Sequence, residues 1–155
     1  GYKVVSLALG FVLAVHAWRV YLGRYSQLWQ SRDIFTGIGY TQANVVLPGL
    51  LILCALFAVG ALLAVLNGFL WRRGRVLAIA AAVPVLFYFG LGLVSNYVAN
   101  FVVKPNQLAR ETPYIKRNIE GTRTAFGLDR VAVRNFPARP ETAALSLNKN
   151  RDTLD

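Results

Sequence analysis

Methionine is absent from the chain, cysteine and histidine occur once each, and seven acids stand against seventeen bases. Each scarcity removes a class of chemistry. The single Cys54 excludes an internal disulfide framework, and its place in an apolar run marks it as a small buried hydrophobe. A metal cluster needs converging Cys, His or carboxylate ligands, and one His16 with singly scattered acids does not supply them. The same poverty leaves no Ser, His and Asp set and no working pair of carboxylates. No catalytic, cofactor-binding or metal-binding residue is therefore assigned within these residues, and no cofactor is expected; an active site in a further domain stays open. With no Met, and with Gly1 as first residue, the chain is expected to be a segment of a longer polypeptide or a processed product, the segment being preferred. A signal peptide is not expected, because no small-residue cleavage site follows the first apolar run and two more runs come later.

Charge is also nearly missing from the interior of those runs. The chain is 55% apolar with a mean hydropathy of +0.45, and the excess lies in its first two-thirds. That distribution is wrong for one soluble domain of 155 residues. The net charge of +10 divides between the two parts. Residues 1–103 carry Lys3, Arg19, Arg24, Arg32, Arg72, Arg73 and Arg75 against Asp33, while residues 104–155 hold ten bases and six acids. These bases flank apolar segments and do not line one solvated face with interleaved aromatics, so nucleic acid is not an expected partner. The bilayer is, together with other helices of the same full-length protein.

Three spans are predicted, at about 3–22, 45–66 and 76–98, since about twenty residues at 1.5 Å each cross a hydrocarbon core of roughly 30 Å. Between Lys3 and Arg19 the first has only Ser6 and His16 as polar members, and Trp18, Tyr21 and Tyr25 crowd its end as an interfacial girdle. His16 and Arg19, three apart, share a helical face and could instead project into a polar cavity of the bundle. Between the spans, Tyr25, Leu28 and Trp29 at helical spacing predict a short amphipathic helix that Gly37 and Gly39 break. Arg32 and Asp33 read as a solvated or interfacial pair. In the second span Pro48 falls in the first turn, where proline costs least, and Gly60 with Ala64 form a small-xxx-small surface that Gly10 and Ala14 repeat in the first. The third holds Pro84, expected to kink it for packing or, alternatively, for gating. Ser95, Asn96, Tyr97 and Asn100 mark its far interface.

Asn67–Arg75 reads as the hinge between the second and third spans. Three arginines in so brief a connector predict a cytoplasmic position, because orientation follows Lys and Arg in short loops. Lys104 onward is then extracytoplasmic. There Pro105 is expected to stop the span, and Thr112 with Pro113 to cap a new helix. On it Ile115, Ile119, Thr122 and Phe126 form a stripe ending at Gly127. Arg130–Phe136 alternates like a strand, and Glu141–Asn148 can form a short helix. The expected fold class is therefore an all-α membrane region of three spans in residues 1–103, followed in residues 104–155 by the beginning of a mixed α/β extracytoplasmic domain.

Gly39-Tyr40-Thr41 with Leu47-Pro48, the stretch KPNQLARETPYIKRNIEGTRTAFGLD from Lys104 to Asp129, and the ending LNKNRDTLD together resemble an uncharacterised family of multi-pass bacterial membrane proteins. The resemblance runs from Tyr25 to Asp155. It implies about seven spanning helices followed by a large extracytoplasmic domain, of which this chain would hold the last three helices and the domain's beginning. It brings no activity with it. Members of that family often continue the GYT motif with Asp, a small residue and His, where this chain has Gln42, Ala43 and Asn44. An acid and imidazole pair serving a metal or a proton there would be missing. Anchoring of an extracytoplasmic domain in the bacterial plasma membrane is the expected function, with part of a transporter or channel as the alternative.

Overall fold

The computed structural model describes residues 1–29 and 37–131. Among these residues four α-helices carry the fold: α1 Tyr2–Gly23, α2 Leu47–Leu66, α3 Gly74–Tyr97 and α4 Gln107–Ala125. No strand occurs among the described residues. The alternation expected in Arg130–Phe136 and the helix expected in Glu141–Asn148 fall almost wholly outside those residues, as does the Arg32–Asp33 pair.

Among the described residues three helical stretches, Tyr2–Trp29, Gln42–Trp71 and Gly74–Ala125, are long and apolar enough to cross a membrane. Their apolar residues are not confined to one stripe. Phe11, Leu86 and Leu93 are each about 70% exposed, at 71%, 69% and 74%. A helix that is hydrophobic all round belongs in lipid or in the core of a much larger protein.

Two compact units divide the chain, Gly1–Thr122 and Arg123–Asp155. In the first, α2 is the common partner: α1 and α3 each pack along it and scarcely touch one another. The buried face of α1 is Ser6, Gly10, Leu13 and Ala17, at spacings of four, three and four residues. It meets the face of α2 formed by Leu53, Phe57, Ala61 and Ala64. Gly10 lies directly against Val65 and the carbonyl of Ala61. Of the small-residue pairs, Gly60 and Ala64 are both buried, whereas Gly10 is buried and Ala14 faces outward.

Gly60 marks where all three helices converge. A Cβ built on it would stand 2.6 Å from the backbone oxygen of Ala80 and 3.5 Å from Leu13 Cδ1. Pro84 explains why that oxygen is available: it has no N–H, so the carbonyl four residues earlier, that of Ala80, receives no helical bond from it. Pro84 is itself buried, and the carbonyl it releases is laid against the bare backbone of Gly60. The proline thus serves the packing of α3 on α2.

The hinge is shorter than the sequence predicts. After α2 the helix continues as a π-helical turn, Asn67–Trp71, in which Asn67 is fully buried. The Asn67 carbonyl accepts from Arg72 N–H at 2.8 Å and its side-chain oxygen from Arg73 N–H at 2.9 Å. These two bonds stop the helix, so the reversal is confined to Arg72, which is left-handed at φ 49 and ψ 38, and Arg73.

Beyond α3 the sequence expectation needs two corrections. Pro105 does not end the helix: a π-helical turn, Val98–Val103, and a 3-10 turn, Lys104–Asn106, carry the helical path on into α4. Thr112 is not an N-cap and Pro113 lies inside α4. Pro105 already occupies the opening of the turn that leads into α4, so the helix starts two turns earlier than expected, and the Thr112 hydroxyl donates back to the Leu108 carbonyl. In the second unit, the described residues comprise the end of α4, a stop at Gly127 with φ 66, and a 3-10 turn, Leu128–Arg130. The predicted apolar stripe is open, with Ile119 53% and Phe126 76% exposed.

Candidate functional site

The site worth building is where the two family-like motifs meet, Tyr40 to Asn44 and Arg110 to Tyr114. Helix begins at Tyr40, and the Gly39 carbonyl accepts from Ala43 N–H at 3.0 Å, which makes Gly39 the N-cap. The first amides of any helix lack intrahelical acceptors, and Gly39 has no side chain to supply one. Glu111, on α4 and 71 residues away in sequence, supplies it instead. Tyr40 N–H donates to both its carboxylate oxygens, at 3.1 and 3.3 Å. Only 5% of Glu111 is exposed, and the helix N-terminus it meets carries the positive end of the backbone dipole.

Five further contacts surround this bond. Arg110 donates from Nη1 to the Tyr40 hydroxyl at 3.0 Å and holds its guanidinium carbon 5.1 Å from the centre of the same ring. Tyr40 and Tyr114 meet edge to face at 6.3 Å. The Asn44 amide donates to the Tyr114 hydroxyl and to the Tyr40 carbonyl, both at 2.9 Å. Thr41 is buried, and the Gln42 side-chain oxygen is buried without a hydrogen-bond partner among the described residues. The arrangement is a clamp: one carboxylate, one guanidinium and two phenols tie α4 to the start of the second membrane-length helix. It holds no nucleophile and base pair, and no group of three metal-ligating side chains occurs among the described residues.

The sequence singles out both motifs without pairing them. Glu111 carries a usable signal, being one of only two acids in α4 among four bases that include Arg110 and Arg117. Its partner is a backbone amide, which no residue pattern reveals. The other candidates behave differently. His16 and Arg19 do line a common hollow of about 470 Å³ with Gln27 and Tyr88. The His16 ring stands 5.7 Å from Phe57, and its Nδ1 bonds the Val12 carbonyl of its own helix at 2.9 Å. Cys54 is half-buried and donates to the Ala17 carbonyl at 3.4 Å. Asn96 and Asn100 donate to the carbonyls of Gly92 and Asn96, one turn back on their own helix.

The family model described as "Uncharacterised protein family (UPF0182)" matches residues 2–155. A UPF0182 protein of Salinibacter ruber is 38% identical over 156 residues, covering 100% of this chain and 16% of the relative. One from Frankia alni is 34% identical over 152 residues, covering 97% of this chain and 15% of the relative. One from Rhodococcus jostii is 41% identical over 140 residues, covering 86% and 14% respectively. The chain thus spans about one-sixth of the length of these curated relatives. No solved structure matches it. By the extent of the family match and the identities of these relatives, the chain belongs to the uncharacterised protein family UPF0182.

Proposed function

We propose that this chain is part of an integral protein of the bacterial plasma membrane in which three spanning helices anchor an extracytoplasmic domain, with α4 as the collar between them. The observation that carries the reading is the Glu111 to Tyr40 bond. A helix that merely followed a membrane anchor would need no buried carboxylate reaching back to a span. Residues 1–103 form the membrane region and residues 104–155 begin a mixed α/β outer domain, within a protein of about seven spans. The arginines at Arg72, Arg73 and Arg75 favour a cytoplasmic place for the hinge, which puts α4 on the outer side.

The transporter reading draws on one observation, the hollow lined by His16 and Arg19. Ionisable groups within a span are expensive and commonly serve transport. Against it, both lie in the last third of α1, while α2 and α3 carry no ionisable side chain between Leu47 and Leu66 or between Val76 and Phe87 other than Cys54. The discriminating experiment uses full-length protein with His16→Phe and Arg19→Gln. Unchanged solute or ion flux in proteoliposomes, together with an envelope defect in cells carrying Glu111→Ala, supports anchoring. Flux that disappears with either substitution in the span supports transport.

A further inference from the structure

Because α1 and α3 both pack on α2 and hardly touch each other, a groove runs between them with α2 as its floor. Two adjoining hollows, of about 470 and 510 Å³, share Gln27, Leu50 and Tyr88 and make it continuous. These volumes are those of ligand sites. The walls are apolar, with Leu53, Phe57 and Val85 in one hollow and Val46, Phe89 and Leu91 in the other. The polar groups gather toward one end. Arg19 lies four residues before the end of α1, about 6 Å below it at 1.5 Å per residue. Trp18, 65% exposed, and Tyr25, 51% exposed, lie near the same end of α1, as aromatics do at headgroup level.

Charge decides the occupant. No acid lines either hollow, and Arg19 has no carboxylate partner among the described residues. A further spanning helix of the same protein laid over this groove would seal a guanidinium away from water and leave it uncompensated, unless that helix brought its own acid. A phosphodiester supplies the counter-charge in the geometry that a guanidinium fork matches. Since no carboxylate lines the groove among the described residues to hold an ammonium group, a zwitterionic headgroup gains less than an anionic one. With Nδ1 bonded to Val12, His16 keeps Nε2 for a headgroup hydroxyl, and Gln27 and Tyr88 add further polar ends.

We propose that the α1–α3 groove binds one anionic phospholipid of the surrounding bilayer, its phosphate against Arg19 and an acyl chain along Leu50, Leu53 and Val85. This rests on the membrane reading above, and the experiment separates the two. Full-length protein is placed in nanodiscs of equal phosphatidylglycerol and phosphatidylcholine, released in native mass spectrometry, and scored for retained lipid. Phosphatidylglycerol is expected to dominate, and Arg19→Gln to lower its retention roughly tenfold, equivalent to about 1.4 kcal/mol. Arg24→Gln, whose guanidinium stands 5.7 Å from the Tyr21 ring and outside the groove, is expected to change retention little. If Arg19→Gln fails to accumulate, Arg19→Lys keeps the charge without the fork and should give an intermediate loss. Equal retention of the two lipids, or an Arg19→Gln protein indistinguishable from the parent, overturns the site. So does a photocrosslinker at position 85 that captures another helix of the protein instead of lipid. Extraction of the protein from membranes by alkaline carbonate overturns the membrane reading itself; a protein that resists carbonate yet shows no lipid preference loses only this site.

Discussion

Replacing Glu111 by alanine should open the clamp locally while leaving the bundle folded. The carboxylate is 5% exposed and takes one N–H, shared between its two oxygens at 3.1 and 3.3 Å. A hydrogen bond to a charged group contributes about 1.5–3 kcal/mol, and a charge at a helix N-terminus about 0.3–1 kcal/mol. Part of this is offset, because removing a buried carboxylate also returns the cost of dehydrating it. The net expectation for Glu111→Ala is about 2 kcal/mol, or roughly thirtyfold in a local opening equilibrium. Glu111→Gln keeps an acceptor of the same shape and should lose about half as much. Hydrogen exchange read by mass spectrometry on full-length protein checks this directly. A peptide covering residues 38–44 should exchange roughly thirtyfold faster in Glu111→Ala, while a peptide within α2 at residues 50–60 keeps its parent rate. Equal exchange at residues 38–44 in both proteins would refute the clamp. Equal acceleration of both peptides would mean that Glu111 supports the bundle as a whole.

Two other substitutions probe packing. Gly60→Ala places a Cβ 2.6 Å from the Ala80 oxygen where ordinary contact begins at 3.4 Å, and the obstacle is backbone, so α2 and α3 must separate. A loss of about 1–3 kcal/mol is expected in detergent-unfolding midpoints, against little change for Gly90→Ala, where nothing lies within 4 Å. At the hinge, Arg72→Gly removes the cost of a left-handed arginine, about 1 kcal/mol, and should hold or raise stability. Asn67→Ala deletes the acceptor for Arg73 N–H and should cost about 1–3 kcal/mol in the same assay. A protein destabilised by Arg72→Gly and indifferent to Asn67→Ala would contradict the account of the hinge.

The apolar runs made the helices legible. Spans predicted at 3–22, 45–66 and 76–98 meet α1 Tyr2–Gly23, α2 Leu47–Leu66 and α3 Gly74–Tyr97, since lipid-compatible length and composition are local properties. What failed depended on competition between local signals. Thr112 and Pro113 form a sound helix start in isolation, but Pro105 offered an earlier one continuous with α3, and a proline in the body of α4 is tolerated there. The hinge was overestimated because the predicted hinge begins at Asn67, where the second predicted span ends, whereas the helix runs one turn further with Asn67 buried in it. The clamp was invisible for another reason. Its central bond joins a side chain to a backbone N–H across 71 residues, and sequence pattern carries no information about backbone partners at that range. The family resemblance had pointed to both halves, Gly39 to Thr41 and Arg110 to Tyr114, and only the fold brings them together.

The central claim is that α4 lies outside the plasma membrane and the Arg72–Arg73 hinge inside it. Single cysteines at Lys116 and at Arg73, in a full-length protein with Cys54→Ala and no other cysteine, test it with a membrane-impermeant maleimide on spheroplasts. Lys116 is exposed on α4, and Arg73 sits at the reversal between α2 and α3. Labelling at position 116 in intact spheroplasts, with position 73 reacting only after lysis, is the expected result. Labelling at position 73 with protection at 116 would invert the topology, and equal labelling of both before lysis would contradict a membrane-spanning bundle altogether.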